Sequence, residues 1–339
     1  IQSDDVYVDG DAYSVGISGT AGGNFESLVT TDTSTVTVVD TIDTTSVSLT
    51  AAPDLTEDGG NLTYTATLGS PVLAGDDPVV VSFTDLNGAA RSITITGGNA
   101  TGTYVATIPE ALYEDVYSEA AADITIATNV SVAGGNFEAL GTPSVGTIAL
   151  TDSIDNTNAT LTSVGSGDED NGSITYTVTL NNAPQADQLF SITLSNGQSA
   201  TITVASGALT GAITFGWGAG AIAGTQALTG YPNSDAYSEA PVDISVSTFT
   251  ASGAGGNFEQ LTPINSSTPV TIADTITPTT ITLSDVNGAE GTSHTITATV
   301  DHVVTGNDLV ITLSNGKEIT IAVGATSGTS AAFAIQSDD

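Results

Sequence analysis

Short stretches of alternating hydrophobic and polar residues recur along the whole chain. Alternation with a period of two is typical of strands that bury one face. Turn signals such as Asn87-Gly88 separate these stretches. Between residues 41 and 151 the predicted strands A to G cover residues 45–51, 62–68, 79–84, 92–96, 103–108, 124–130 and 145–150. Seven short strands over this length predict an immunoglobulin-like β-sandwich.

Three motifs repeat in the same order, at spacings of 110 to 122 residues. Such self-similarity indicates tandem copies of one domain. An acidic joint motif lies at 40–43, 152–155 and 274–277, Asp-x-Tyr-x-Asp/Glu lies at 5–9, 115–119 and 235–239, and Ala-Gly-Gly-Asn-Phe-Glu lies at 21–26, 133–138 and 254–259. The prediction is an all-β chain of sandwiches arranged end to end as a rod. Its domains are 1–40 (the C-terminal part of a repeat), 41–151, 152–273 (with a longer E–F region) and 274–339 (the N-terminal part of a repeat).

Two further features concern the chain's length and its single tryptophan. Residues 1–5 and 335–339 are identical, which predicts a longer period of three domains. About ten extra residues surround Trp217 in the 152–273 domain. A longer surface loop is the simpler interpretation of this insertion, and a ligand platform is the alternative.

Charge excludes several classes of partner. The chain has 38 acidic residues against Arg91 and Lys317, a net charge of -36. This charge argues against nucleic acid and anionic membranes. No apolar run is long enough for direct membrane insertion. Cysteine is absent, which excludes disulfides and thiolate metal sites.

The acidic residues recur at fixed places in the predicted sandwich. Successive strands reverse direction, so the A–B loop, the E–F loop and the end of strand G share one pole. The predicted ligands at this pole are Asp5, Asp9, Asp40, Asp43, Glu57, Asp115, Glu119, Asp152, Asp155, Glu169, Asp235, Glu239, Asp274 and Glu290. The F–G loop lies at the opposite pole and faces the preceding joint, where it would add Asn136, Glu138, Asn257 and Glu259.

Converging carboxylates require a counter-ion. Two of them about 5 Å apart repel by roughly 3 kcal/mol at an effective dielectric near 20. The cluster must therefore splay, take up protons or bind a cation. Oxygen ligands with only two histidines in the chain exclude a typical zinc site and favour Ca²⁺. Thr277-Pro278 departs from the joint motif and predicts one ligand fewer there. Solvated acidic turns are the alternative.

Catalysis has little support in the sequence. The acids lie at repeated joints and not in one pocket, and neither histidine belongs to a nucleophile signature. Paired carboxylates can hydrolyse glycosides, but tandem active sites at linkers are not expected. Threonine alternation is ordinary on the wet face of a strand, so ice binding is not indicated. The chain is predicted not to be an enzyme.

These motifs resemble a known family. The run Asp-Thr-Ile-Asp-Thr-Thr-Ser-Val-Ser-Leu at 40–49, Glu57, the Asn196-Gly197 turn, Asp115-Val-Tyr-Ser-Glu119 and the Ala-Gly-Gly-Asn-Phe-Glu repeats resemble the extender repeats of giant bacterial adhesins. Those adhesins are secreted by type I systems and belong to the repeats-in-toxin class that forms biofilms. The arrangement of acids is also similar to that of cadherins, which combine an A–B glutamate, an E–F acidic motif and an acidic linker. The nonapeptide calcium repeats of the toxin class are missing from this sequence.

The resemblance implies a structural role at the bacterial cell surface. Tandem immunoglobulin-like domains, rigidified by interdomain calcium, would project a distal adhesive domain from the cell. The expected partners are neighbouring repeats of the same chain. One alternative is an adhesive module that binds glycan or protein, although aromatic residues are only 5% of the chain. Another is the subunit of a self-assembling surface filament, whose partners would be other copies in a fibre.

Overall fold

The computed structural model describes residues 4–218, 224–232, 234–253 and 255–334. It divides into two compact units, Ile1–Asp155 and Asn156–Asp339. The identical pentapeptides at 1–5 and 335–339 fall largely outside the described residues, as does the 219–223 part of the extra segment near Trp217.

The first unit contains fourteen described strands and one 3-10 turn, Glu110–Leu112. The strands are β1 (Asp11–Gly16), β2 (Thr33–Val38), β3 (Thr44–Thr45), β4 (Val47–Ala52), β5 (Leu55–Thr56), β6 (Gly59–Leu68), β7 (Val79–Thr84), β8 (Ala90–Ile95), β9 (Thr101–Pro109), β10 (Ala122–Thr125), β11 (Thr128–Gly134), β12 (Ala139–Leu140), β13 (Ser144–Val145) and β14 (Thr147–Thr151).

The second unit is also built from strands in its described part. They are β15 (Asn156–Gly167), β16 (Asn171–Leu180), β17 (Gln188–Leu194), β18 (Ser199–Val204), β19 (Thr210–Gly218), β20 (Gln226–Ala227), β21 (Val242–Ile244), β22 (Val246–Ser252), β23 (Gln260–Asn265), β24 (Val270–Ile272), β25 (Ile281–Leu283), β26 (Ser293–His294), β27 (Thr297–Val300), β28 (Leu309–Thr312), β29 (Glu318–Ile321), β30 (Ser327–Thr329) and β31 (Phe333–Ala334). Within the residues that the structure describes, no helix is long and apolar enough to cross a membrane.

Strands β3 to β14 form what we call the first sandwich. One sheet has the order β10-β14-β5-β6-β4-β13, with β9 on the other side of β6, and the facing sheet has the order β11-β7-β8. In β6 every second residue from Leu62 to Leu68 is buried, as the alternation predicts. These side chains pack against Val81 and Ile93 in one core. The fold class predicted from the sequence, tandem immunoglobulin-like sandwiches, is confirmed.

Predicted strand F is divided between the two sheets. Its first part, β10, pairs with β14, whereas β11 pairs with β7 in the facing sheet. The crossing falls at Ile126 and Ala127, which are both buried. Asn129 adopts a positive φ of 51° beside an irregularity in the β11–β7 register. The chain bends here because the buried pair must enter the core between the sheets.

Strands β15 to β24 form the second sandwich. Its larger sheet has the order β20-β19-β16-β15-β23, and the facing sheet has the order β18-β17-β22. Strand β15 pairs antiparallel with β16 and parallel with β23, from Asn156↔Gln260 to Leu161↔Asn265. Residues beyond the 274–277 joint form smaller sheets around a core that contains Ala298, Val300, Ile319 and Ile321.

The position of Trp217 excludes the ligand-platform interpretation of the extra segment. Trp217 lies on β19 and is only 2% exposed. Its Nε1–H donates to the carbonyl of Asp168 at 2.7 Å, and its ring packs 5.9 Å from that of Tyr231. Gly172 makes room for the indole, because a Cβ at this position would lie 2.2 Å from the ring. Trp217 is therefore a core residue, so it offers no exposed ligand platform.

Candidate metal centres

Three carboxylates meet at one pole of the first sandwich. Glu57, Glu119 and Asp152 each offer an oxygen, and these oxygens lie within 4.8 Å of one another. Parallel pairing of β14 with β5 brings the end of strand G beside the A–B loop. The Glu57 N–H then donates to the carbonyl of Thr151 at 3.1 Å, and the Glu119 N–H donates to Asp152 Oδ2 at 3.2 Å. We call these three residues the first cluster.

The first cluster is electrostatically unfavourable without a cation. Glu57 is 7% exposed, and burial followed by the charges of Asp152, Glu119 and other acids raises its pKa to about 7. Burial, Asp115 and Asp152 also raise the pKa of Glu119. Among the described residues, Glu57 Oε2 and Asp152 Oδ1 are buried and have no hydrogen-bond partner. Buried oxygens of this kind suit a ligand that supplies positive charge.

Glu114 also lies at this pole, although the sequence motifs do not include it. Ser153 Oγ donates to Glu114 Oε2 at 3.0 Å. Burial, then a hydrogen bond with the Asp155 side chain, raises the pKa of Glu114. Two carboxyl groups can share a hydrogen bond only if one of them holds a proton. The available signal was position, because Glu114 directly precedes the Asp-x-Tyr-x-Glu motif at 115–119.

An equivalent second cluster lies within the second unit. Glu169, Glu239 and Asp274 each offer an oxygen, again within 4.8 Å of one another. Glu169 is 1% exposed, and its N–H donates to the carbonyl of Ala273 at 2.9 Å. Thr275 Oγ1 donates to Glu169 Oε1 at 2.7 Å, and the Glu239 N–H donates to Asp274 Oδ2 at 3.1 Å. Glu169 Oε2 and Asp274 Oδ1 are buried without a hydrogen-bond partner among the described residues.

The 40–43 joint combines part of the same pattern with an F–G loop. The Asp9 N–H donates to Asp40 Oδ2 at 3.0 Å, which matches the Glu119–Asp152 and Glu239–Asp274 contacts. The Asp43 N–H donates to Glu138 Oε2. This bond lowers the pKa of Glu138, but burial and the nearby Asp40 and Asp43 carboxylates raise it above its ordinary value. Glu138 Oε1 is buried without a hydrogen-bond partner in the part of the chain that the structure describes.

The first residue of each Asp-x-Tyr-x-Asp/Glu motif has a local partner. The Oδ1 atoms of Asp5, Asp115 and Asp235 accept the backbone N–H two residues later, at 2.9, 2.7 and 2.7 Å. These bonds shape the E–F turn and leave the second carboxylate oxygen for another ligand.

The other predicted ligands have different surroundings. Asn136 Nδ2 donates to the carbonyl of Val8 at 3.3 Å. Asn257 adopts a positive φ of 56° and donates to Gln185 Oε1 at 2.9 Å. Glu259 is half-buried directly before β23, and Glu290 is exposed in a loop. Glu290 belongs to neither of the two clusters formed within a unit.

The donor set limits the ion. Both clusters offer carboxylate oxygens, which hard cations such as Ca²⁺ and Mg²⁺ prefer. Neither His294 nor His302 belongs to them. Three carboxylates can supply up to six oxygens, which fits the flexible six to eight ligands of Ca²⁺. The residues therefore fit calcium, with the ligating oxygens coming from loops far apart in sequence.

The fold and these sites define a class of proteins: tandem immunoglobulin-like domains with acidic clusters at their ends. The LapA domain model matches residues 1–41, 43–153, 155–275 and 277–339. The chain therefore belongs to the LapA domain family, a family of biofilm adhesins. Adhesins of this kind are extracellular cell-surface proteins, and both the family and the fold are of non-enzymatic kinds.

The chain is similar to the I9–I11 tandem from titin, a crystal structure, at 11% identity and a TM-score of 0.15, over 85% of this chain and 88% of that one. No curated protein matches the chain.

Proposed function

We propose that this chain is a calcium-stiffened extender segment of a cell-surface adhesin. The observation that carries the proposal is the pair of buried glutamates, Glu57 and Glu169, which are 7% and 1% exposed. Each belongs to a cluster of three carboxylates. One member of each cluster, Asp152 or Asp274, directly precedes the residue at which a family match ends. A buried anion without compensation costs several kcal/mol, so a bound cation would stabilise both clusters.

Stiffening follows from where the ligands lie along the chain. Asp152 directly follows β14 and Asp274 is the second residue after β24, whereas Glu57 and Glu169 belong to A–B loops. An ion bound to both would tie each linker to the body of the domain before it. Such a linker has fewer accessible orientations, and the chain becomes more extended. The proposed domains are 1–40, 41–151, 152–273 and 274–339, arranged as a rod with calcium at the joints.

The finer features of the family resemblance belong to the same proposal. They are type I secretion, membership of the repeats-in-toxin class and a distal adhesive domain that the rod holds away from a bacterial cell. Asn257 and Glu259 remain predicted ligands for the 152–155 joint, and Glu290 for a joint beyond residue 334.

Small-angle scattering of the whole chain tests the proposal. We expect the maximum dimension to fall when a chelator replaces calcium. A variant with both Glu57→Gln and Glu169→Gln should keep the shorter dimension in either condition. Glu110→Gln with Asp123→Asn, two exposed acids outside the clusters, should behave like the unmodified chain. Equal maximum dimensions with calcium and with chelator would refute calcium stiffening.

The glycan- or protein-binding alternative cannot use Trp217 as its platform. Such a module needs an exposed aromatic platform, and Trp217 is in the core. A fibre subunit remains an alternative, and electron microscopy of the purified chain distinguishes single strands from ordered bundles.

A further inference from the structure

The Asp-x-Tyr-x-Asp/Glu motif does more than contribute carboxylates. In the first unit, Tyr7 belongs to the 1–41 family match, and its hydroxyl donates to the carbonyl of Pro71 at 2.6 Å. Pro71 belongs to the next match, 43–153. In the second unit, the Tyr237 hydroxyl donates to the carbonyl of Val303 at 2.8 Å, again from one match to the next.

The two acceptor carbonyls occupy the same place in the fold. Pro71 is the third residue after the end of β6, and Val303 is the third residue after the end of β27. Both therefore belong to the B–C loop of the repeat that follows. The same donor reaching the same loop in two separate units argues against a chance contact.

The acid of the motif holds the tyrosine in place. Asp5 Oδ1 accepts the Tyr7 N–H, and Asp235 Oδ1 accepts the Tyr237 N–H. The tyrosine is thus an oriented donor that needs no ion.

At the 40–43 joint the F–G loop completes the contact. Tyr7 forms an antiparallel bridge with Phe137, and their ring centroids are 5.2 Å apart. The Val8 N–H donates to the carbonyl of Asn136, and the Glu138 N–H donates to the carbonyl of Val6, both at 3.0 Å. The E–F segment of one repeat therefore adds a short strand to the F–G loop of the next.

We propose that this motif is an ion-independent clamp, in which Tyr7 and Tyr237 each set the orientation of the repeat that follows. The inference deepens the proposed extender function, because it assigns part of the stiffness to protein contacts and not to calcium. Loss of one neutral hydrogen bond should lower the ratio of clamped to unclamped joints about fivefold.

The absence of cysteine allows a clean test in the full chain. Spin labels on Ser34→Cys and Ser92→Cys, two exposed strand positions on either side of the 40–43 joint, report the distance across it. In chelator, we expect this labelled chain to give a distance distribution of intermediate width, which calcium narrows further and which Tyr7→Phe broadens. Tyr13→Phe, at a more exposed tyrosine on β1, should leave the distribution unchanged.

The outcomes separate the clamp from the calcium proposal. A distribution in chelator that stays as narrow after Tyr7→Phe as before it would overturn the clamp. Calcium that fails to narrow the distribution of the Tyr7→Phe chain would count against calcium stiffening of this joint while leaving the clamp intact. Hydrogen exchange of the β6 amides measures the stability of the first sandwich. Tyr7→Phe should leave that stability unchanged, which shows that the substitution affects only the joint.

Discussion

Replacing Glu57 with glutamine should have opposite effects on stability with and without calcium. In chelator at pH 8 the substitution removes a buried charge from the first cluster, and we expect the first sandwich to become more stable. With calcium in excess it removes a ligand, and we expect the same variant to be less stable than the unmodified chain. A crossover of this kind is not expected from a change in packing alone.

The magnitude follows from the geometry and the pKa. The carboxylate oxygens lie within 4.8 Å of one another, and at that separation a pair repels by about 3.5 kcal/mol at an effective dielectric of 20. Glu57 faces two such partners, which gives about 7 kcal/mol before screening by water. The exposed Glu119 is screened by water, so the actual repulsion is smaller. The pKa of Glu57, about 7 against an ordinary 4.5, corresponds to about 3 kcal/mol at 1.36 kcal/mol per pH unit.

The sign of the pH dependence is fixed by the direction of the shift. Because the folded-state pKa of Glu57 is raised, ion-free stability is greatest below about pH 4.5 and falls as the pH rises through about 7. The Glu57→Gln chain should not lose this stability. In chelator, its free energy of unfolding should exceed that of the unmodified chain by an amount that grows to about 3 kcal/mol as the pH rises from about 4.5 to about 7.

Two probes in the same chain make the assay specific. Hydrogen exchange of β6 amides during urea titration reports the first sandwich, while fluorescence of Trp217 reports the second. Glu110→Gln removes an exposed charge and serves as the matched control. Equal stability of the Glu57→Gln and unmodified chains in chelator from pH 5 to 8 would refute the argument. Full calcium stabilisation of the Glu57→Gln chain would also refute it.

Three further outcomes are expected. Tyr64→Phe should destabilise the first sandwich by about 1–2 kcal/mol, because its buried hydroxyl donates to the carbonyl of Ile126 and accepts the Leu86 N–H. Tyr176→Phe should be neutral or stabilising, since the described residues give that buried hydroxyl no partner. Urea unfolding measures the change in stability for both variants. Gly172→Ala should cost about 1–3 kcal/mol through a clash with Trp217, measured as an earlier change in Trp217 fluorescence. Glu169→Gln should weaken calcium binding by at least tenfold in calorimetric titration while the first cluster still binds, and unchanged affinity would exclude Glu169 as a ligand.

Much of the fold follows from local pattern. The alternation from Leu62 to Leu68 marks β6, and the reversal of successive strands puts the A–B and E–F acids at one pole. The structure has Glu57 and Glu119 together there. These features depend on a period of two and on strand connectivity, and both can be read from one sequence.

Other features depend on contacts between distant residues. Glycine-rich sequence around Trp217 resembles a loop, but Gly172, 45 residues earlier, provides the space that admits the indole to the core. The division of strand F arises where Ile126 and Ala127 enter the core, and the alternation continues through this point. Tyr7 has no local signal for its bond to Pro71, because the acceptor is a backbone carbonyl in the next repeat.

The parallel pairing of β15 with β23 matters when the chain is under tension. Strand β15 begins the second sandwich and β23 lies near its end, so a pull along the chain slides the two past each other. The six paired positions from Asn156↔Gln260 to Leu161↔Asn265 form one continuous ladder, and its hydrogen bonds bear a shearing force together. In the first sandwich the parallel contacts are three separate two-residue patches, β12–β3, β13–β4 and β14–β5. These can give way one after another, so the second sandwich should withstand the greater load before it ruptures.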